Sequence, residues 1–218
     1  MCQQEGVNLQ RGMNFHLHAG YSVILMSLRI GAPYADRIEE GGKILVYEGH
    51  DVPSTTDVKN PKSLDQLSTT SLGMLTQNGL FLQAADEYKN KLKTPERVKV
   101  YEKIRAGIWV FNGFFNLIDA WREESNGRKV FKFKLELTDE SDINQSQEVT
   151  LSQTRMIPSH VKMEVWKRDK GQCRECGSKE NLHFDHIIPY SLGGSSLVAE
   201  NIQLLCAKHN LAKKDRIQ

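Results

Sequence analysis

The sequence has little that would tie it to a membrane or to an oxidising compartment. Nowhere in its 218 residues does an apolar run approach the roughly 18–20 residues that a bilayer-spanning helix needs. Its opening, MCQQEGVNLQRG, lacks the charged-then-apolar pattern of a secretory signal, so a cytoplasmic location is expected. Cysteine is scarce: four residues could suggest disulfides in a secreted protein, but without a signal two of them at C-x-x-C and a third before a histidine read better as a metal site. Neither sign of charge dominates, since 29 basic and 27 acidic residues leave a net +2 that points to no partner by itself. Internal repeats and low-complexity tracts are missing too. What remains is an ordinary globular composition, long enough for a medium domain plus a small one.

The charge is unevenly placed. Residues 155–218 hold 11 Lys and Arg against 7 Asp and Glu, while residues 1–154 hold 18 against 20. A basic tail on a near-neutral body is compatible with nucleic acid. Hydropathy patterning agrees with a division there. YSVILMSL (21–28) and GKILVY (42–47) are short apolar runs bounded by glycine, and they read as strands. Residues 51–71 are rich in Ser, Thr, Asp and Pro and read as a long loop, and 76–92 fit a helix. ERVKVYEKI and GIWVFNGFFNLIDAWREE predict a further pair or trio of strands. In 130–137, Phe131, Phe133, Leu135 and Leu137 alternate with Lys132, Lys134 and Glu136, the mark of a half-buried strand. Residues 1–140 are therefore expected to form a mostly β domain, 141–156 a polar linker and 157–218 a second small unit. That unit opens on a helix capped by Ser159, with Val161, Val165 and Trp166 on one face.

A tail of about 60 residues is too small for a stable core without help. Cys173 and Cys176 form a C-x-x-C knuckle, and Cys206 with His209 stands about 30 residues on. That spacing suits a closed, structural Zn2+ site of three thiolates and one imidazole. Between the knuckles lies LHFDHIIPYSLGG. Asp185 offers a hard oxygen to Mg2+ or a similar ion, and its neighbour His186 can take a proton from water. Adjacent side chains on a strand point to opposite faces, so a distorted strand or hairpin turn must present both. LLCAKHNLAKKDRI reads as a helix whose Asn210 offers the ion a second oxygen. Cys2 has no assigned part. His16, His18 and His50 lack ligand spacing and read as structural or surface residues.

The stretch CREC…LHFDHIIPYSLGG…ENIQLLCAKHNLAKK resembles the HNH nuclease family, whose ββα-metal fold wraps one catalytic ion between a hairpin and a helix. The resemblance implies His186 as general base, Asp185 and Asn210 as ligands of Mg2+ or Mn2+, and Asn201 as a hydrogen-bonding brace across the loop. Lys208, Lys213, Lys214 and Arg216 would contact phosphate oxygens.

GYSVILMSLRIGAPYADRIEEGGKILVYEGHD, with FNGFF and the closing alternating strand, resembles the SRA (or YDG) domain. This is a PUA-like β-barrel with flanking helices that flips 5-methylcytosine or 5-hydroxymethylcytosine out of the helix. The resemblance implies an α+β chain with Tyr34 and Tyr47 sandwiching the flipped base and Asp36 accepting from its exocyclic amine. The family's acid lies three residues after the first aromatic, where Arg37 stands here. Asn60 and Lys62 fall where the family inserts a finger into the duplex. Together the two resemblances imply a modification-dependent restriction endonuclease acting on double-stranded DNA, with a homodimer expected for a double-strand break. The rivals are a non-catalytic reader with a zinc ribbon and an HNH nuclease that reads unmodified DNA.

Overall fold

The computed structural model describes residues 5–6, 9, 11–56, 58–138, 156–213 and 217. Cys2, Lys214, Arg216 and nearly all of the expected linker lie outside these residues. The fold is mixed α+β. β1 (Met13–His18), β2 (Tyr21–Met26), β3 (Arg37–Glu39), β4 (Ile44–Glu48), β5 (Glu96–Arg105), β6 (Ile108–Ser125) and β7 (Arg128–Leu137) form one sheet in the order β1-β2-β5-β6-β7-β4-β3. Among the described strands only the β2–β5 pairing is parallel. The crossover between those two strands carries β3, β4 and helix α1 (Gln77–Lys89). Thr76 caps α1 by accepting from the Gly79 amide at 3.2 Å. Phe81 and Ala85, one helical turn apart, bury the same face against Phe133 and its neighbours on the sheet. Burial of Phe81 alone contributes about 2 kcal/mol.

The expected pair or trio of strands after residue 95 is one long hairpin, β5–β6. Its register steps from Val100↔Gly113 to Tyr101↔Phe111, so Asn112 is an extra residue on β6. Gly113 has φ +113°, a conformation open to glycine and strained for other residues. The resulting bulge turns the Asn112 side chain off the regular alternation. On β7 the apolar positions point inward as the alternation predicts. Lys132 corrects the expectation for the opposite face, since it is buried and its ammonium lies 2.9 Å from Glu48.

The tail contains α2 (Ser159–Arg168), β8 (Leu182–His186), β9 (Ile202–Cys206) and α3 (Ala207–Lys213). Two expectations need correction here. Pro158 occupies the N-cap position of α2, and Ser159 is the first helical residue, its hydroxyl donating to Glu102. LLCAKHNLAKKDRI is not one helix: its apolar start completes β9, where Ile202, Leu204 and Leu205 are buried, and α3 begins after Cys206. Val161, Val165, Ile202 and Leu204 form a small second core. Met156, placed in the linker by sequence, packs into the first core.

The two units meet through a buried polar cluster. Lys162 of α2 lies 3.0 Å from Glu102 of β5 and also donates to Asn112 Oδ1, while Asn112 donates to Glu102 at 2.9 Å. Burial pushes the Glu102 carboxyl up, but the Lys162 charge and the Ser159 and Asn112 hydrogen bonds outweigh it and hold Glu102 below its usual range. The bulge at Asn112 is what delivers the third partner. Among the described residues no helix is long and apolar enough to cross a membrane.

Candidate active site and metal centres

Pairing of β8 with β9 sets Leu182 opposite Cys206, which brings the later knuckle beside the earlier one. His209 Nδ1 lies 3.4 Å from the sulfurs of Cys173 and Cys206, and Cys176 Sγ lies 3.8 Å from Cys206 Sγ. All four ligand atoms fall within 4.8 Å of one another. A tetrahedral Zn2+ with Zn–S bonds of about 2.3 Å has S···S edges of about 3.8 Å, so the donor set fits that ion. Burial works against a Cys173 thiolate, but amides of Cys206 and Cys176 and the His209 ring outweigh it and bring its pKa down to about 6. Among the described residues this is the one His, Cys, Asp and Glu group of metal-binding shape.

Asp185, His186 and Asn210 line one cleft of about 690 Å3 between the tail and β6. Asp185 pairs opposite Gln203 and His186 opposite Ile202, so both belong to regular β8, with His186 its last residue. His186 Nε2 is 2.7 Å from the buried Ser196 hydroxyl, which fixes the ring. Asn201 accepts from the Ile188 amide at 2.9 Å and donates to the Ser195 and Ile188 carbonyls at 3.0 and 3.2 Å, closing the loop between β8 and β9. Gly194 permits that closure, because a Cβ there would lie 1.8 Å from the Ile188 oxygen.

Lys213 requires a correction. It does not reach outward from the helix end toward phosphate; it is buried, 3.1 Å from Asp185 Oδ2 and 2.6 Å from the His186 carbonyl oxygen. Gln203 donates to the same Asp185 oxygen at 3.4 Å. The last turn of α3 packs against β8, which brings the ammonium onto the carboxylate instead of into water. Lys208 is exposed on α3. His183 also lines the cleft, and burial lowers its pKa against the opposing pull of Asp185. It stands two residues before Asp185, hence on the same strand face, a signal the sequence carried.

The expected base pocket is rearranged. Tyr47 is 1% exposed in the core, its hydroxyl bonded to the Gly12 and Leu25 carbonyls at 3.2 and 3.4 Å, so it walls no open slot. Strand β4 is buried on both faces, which the single aromatic at position 47 did not reveal. His50 takes its place, stacked on Tyr34 with centroids 5.6 Å apart and planes 18° apart. A base between two rings needs about 7 Å, twice the usual contact distance, so these rings must part to admit one. Burial lowers the His50 pKa to about 4 and leaves it neutral near pH 7. Asp36 accepts from the Glu48 and Ser27 amides at 3.0 and 3.1 Å, and burial raises its pKa to about 6. Lys62 turns inward to Asp51 at 2.9 Å and covers Tyr34 at 4.0 Å, while Asn60 caps a short 3-10 turn. His16 and His18 pair with Glu96 and Glu5.

Residues 173–216 match the family model described as HNH endonuclease, so this segment is an HNH endonuclease domain. No curated protein matches the chain. Among solved structures, the SUVH5 SRA domain bound to hemi-methylated CG DNA is 20% identical over 66% of this chain and 81% of its own, with a TM-score of 0.41. The modification-dependent TagI restriction endonuclease is 16% identical over 94% of this chain and 70% of its own, with a TM-score of 0.40.

Proposed function

We propose that this chain, with an HNH endonuclease domain at 173–216, is a metal-dependent DNA endonuclease directed by its N-terminal sheet to DNA carrying 5-methylcytosine or 5-hydroxymethylcytosine. The observation that carries the nuclease reading is the convergence of Asp185, His186 and Asn210 on one cleft beside a zinc-shaped Cys3His cluster. His186 takes the proton of the attacking water, with Ser196 fixing the ring through Nε2. Asp185 is held through Oδ2 by Lys213 and Gln203, and it offers Oδ1, with the Asn210 amide oxygen, to Mg2+ or Mn2+. One carboxylate, one amide and several waters make the hard oxygen set such ions take. A bound ion supplies charge stabilisation to the phosphate and leaving oxygen. Tyr34, Asp36 and His50 form the region where a flipped base is read, and Lys208 meets phosphate.

The closed Tyr34–His50 stack favours a second reading, an HNH nuclease whose sheet reads unmodified DNA. Digestion of otherwise identical duplexes bearing cytosine, 5-methylcytosine or 5-hydroxymethylcytosine, with Mn2+ or Mg2+, separates the two. The proposal expects cutting of modified duplexes only, and His186→Ala to lower the rate by about 10²–10⁴-fold while retaining binding. Equal cleavage of all three establishes the second reading; binding with no nicking overturns both.

A further inference from the structure

The seam between the two units is built from charges and hydrogen bonds where apolar side chains would have served for adhesion. Glu102, Asn112 and Lys162 are all buried, and they satisfy one another across the boundary. A buried ion pair adds little net stability, because desolvating both charges costs about what their attraction returns. It does fix direction, since a hydrogen bond weakens steeply once its atoms part by about 0.5 Å. Ser159 and Lys162, one helical turn apart on α2, both reach the sheet unit, while Val161 and Val165 belong to the tail's own core. Met156, just ahead of them, packs into the first core. On the other side, β5 bonds to β6, β6 to β7 and β7 to β4. Glu102 is therefore part of the same hydrogen-bonded body as the strand that leads to His50.

Resting on the endonuclease reading above, we infer that Glu102, Asn112, Ser159 and Lys162 are positioning residues that set the distance from the modified cytosine to the nicked bond. Successive phosphates of one strand lie about 3.4 Å apart along the duplex. Choosing a single bond requires the tail to be held to about that length, which contacts at 2.9 and 3.0 Å on both sides of the seam do. Hung only on a flexible tether of about 16 residues, a tail would range over roughly 20 Å, about six phosphates. With the seam made, the chain nicks at a set offset from the base it reads.

The test maps nicks on a duplex carrying one 5-methylcytosine, for the wild-type full chain and for Glu102→Ala/Lys162→Ala. Removing both charges leaves neither buried alone, and circular dichroism checks that the pair variant folds. The wild type places its nicks at one bond or two neighbours. The pair variant spreads them over about three bonds or more while binding the duplex with unchanged affinity. Asn112→Ala, which keeps the ion pair, widens the pattern by less. Nitrogen-15 relaxation without DNA reads the seam independently: one tumbling time for both units in the wild type, and a shorter one for the tail in the pair variant. Scattered nicks or two tumbling times in the wild type overturn the inference, and so does an unchanged nick position in the pair variant. A wild type that never nicks, with the relaxation result as expected, defeats the endonuclease reading and leaves the seam standing as the orienting device.

Discussion

Among the described residues, sixteen buried side chains form the main core around the N-terminal sheet, whereas the tail's main core has six. The sheet closes its core with Phe81, Phe115, Phe131 and Phe133, rings large enough to offset the entropy of ordering the chain. The tail has Val, Ile and Leu over a two-stranded hairpin, which by itself is marginal in water. Its four candidate zinc ligands lie within 4.8 Å of one another, and an ion held there would supply the cohesion that so few apolar residues lack. One unit is then held by area removed from water, the other by coordination, and they should fail under different treatments.

Stripping zinc is the strongest way to break that contrast. Chelation, or Cys206→Ser, removes a binding free energy of about 10 kcal/mol that is also folding free energy for the tail. Thermal unfolding followed by circular dichroism should then show the tail lost and the sheet transition retained. A single unchanged transition would mean that the tail folds on its apolar residues.

A smaller effect tests the seam. Lys162→Met leaves Glu102 charged and buried without its cation, at a cost of about 3–5 kcal/mol. Urea unfolding should register that loss, and the double variant with Glu102→Leu should recover part of it. No loss in the single variant would show that the two units do not depend on the cluster.

The smallest effect lies inside the sheet unit and is read as a slope. Asp36, raised to about 6, binds its proton more tightly folded than unfolded, so its contribution falls as pH rises from about 4 to 6. His50, lowered to about 4, is protonated more readily unfolded, so its contribution rises with pH from about 4 to 6.5. The two oppose each other. Asp36→Asn should make urea-measured stability climb more steeply with pH across that window, and His50→Asn should flatten or reverse the climb. Parallel slopes in both variants would remove these groups as the cause.

Much of this was legible along the chain because the signals were local. C-x-x-C and the alternation of β7 each depend on residues a few positions apart. The turn after β8 was legible from its Pro and Gly residues, and the Asn201 brace only through the family resemblance. Lys213 was not, since a lysine at a helix end looks solvated until the hairpin it packs against is known. Tyr47 and His50 traded places for a similar reason: the burial of both faces of β4 depends on β3 and β7 flanking it, strands distant in sequence.

By itself the sequence determined the chemistry available: three thiols and an imidazole at metal-ligand spacing, and a carboxylate, an imidazole and an amide between and after them. It also determined the strand and helix periods that carry them, because side-chain donors and hydropathy are properties of residues. Only the tertiary structure decided which groups meet across long separations. It turned Lys213 onto Asp185 and set Asn112 between the two units through a one-residue bulge. Register and packing are properties of the whole chain, and a one-residue shift in either would have sent those side chains elsewhere.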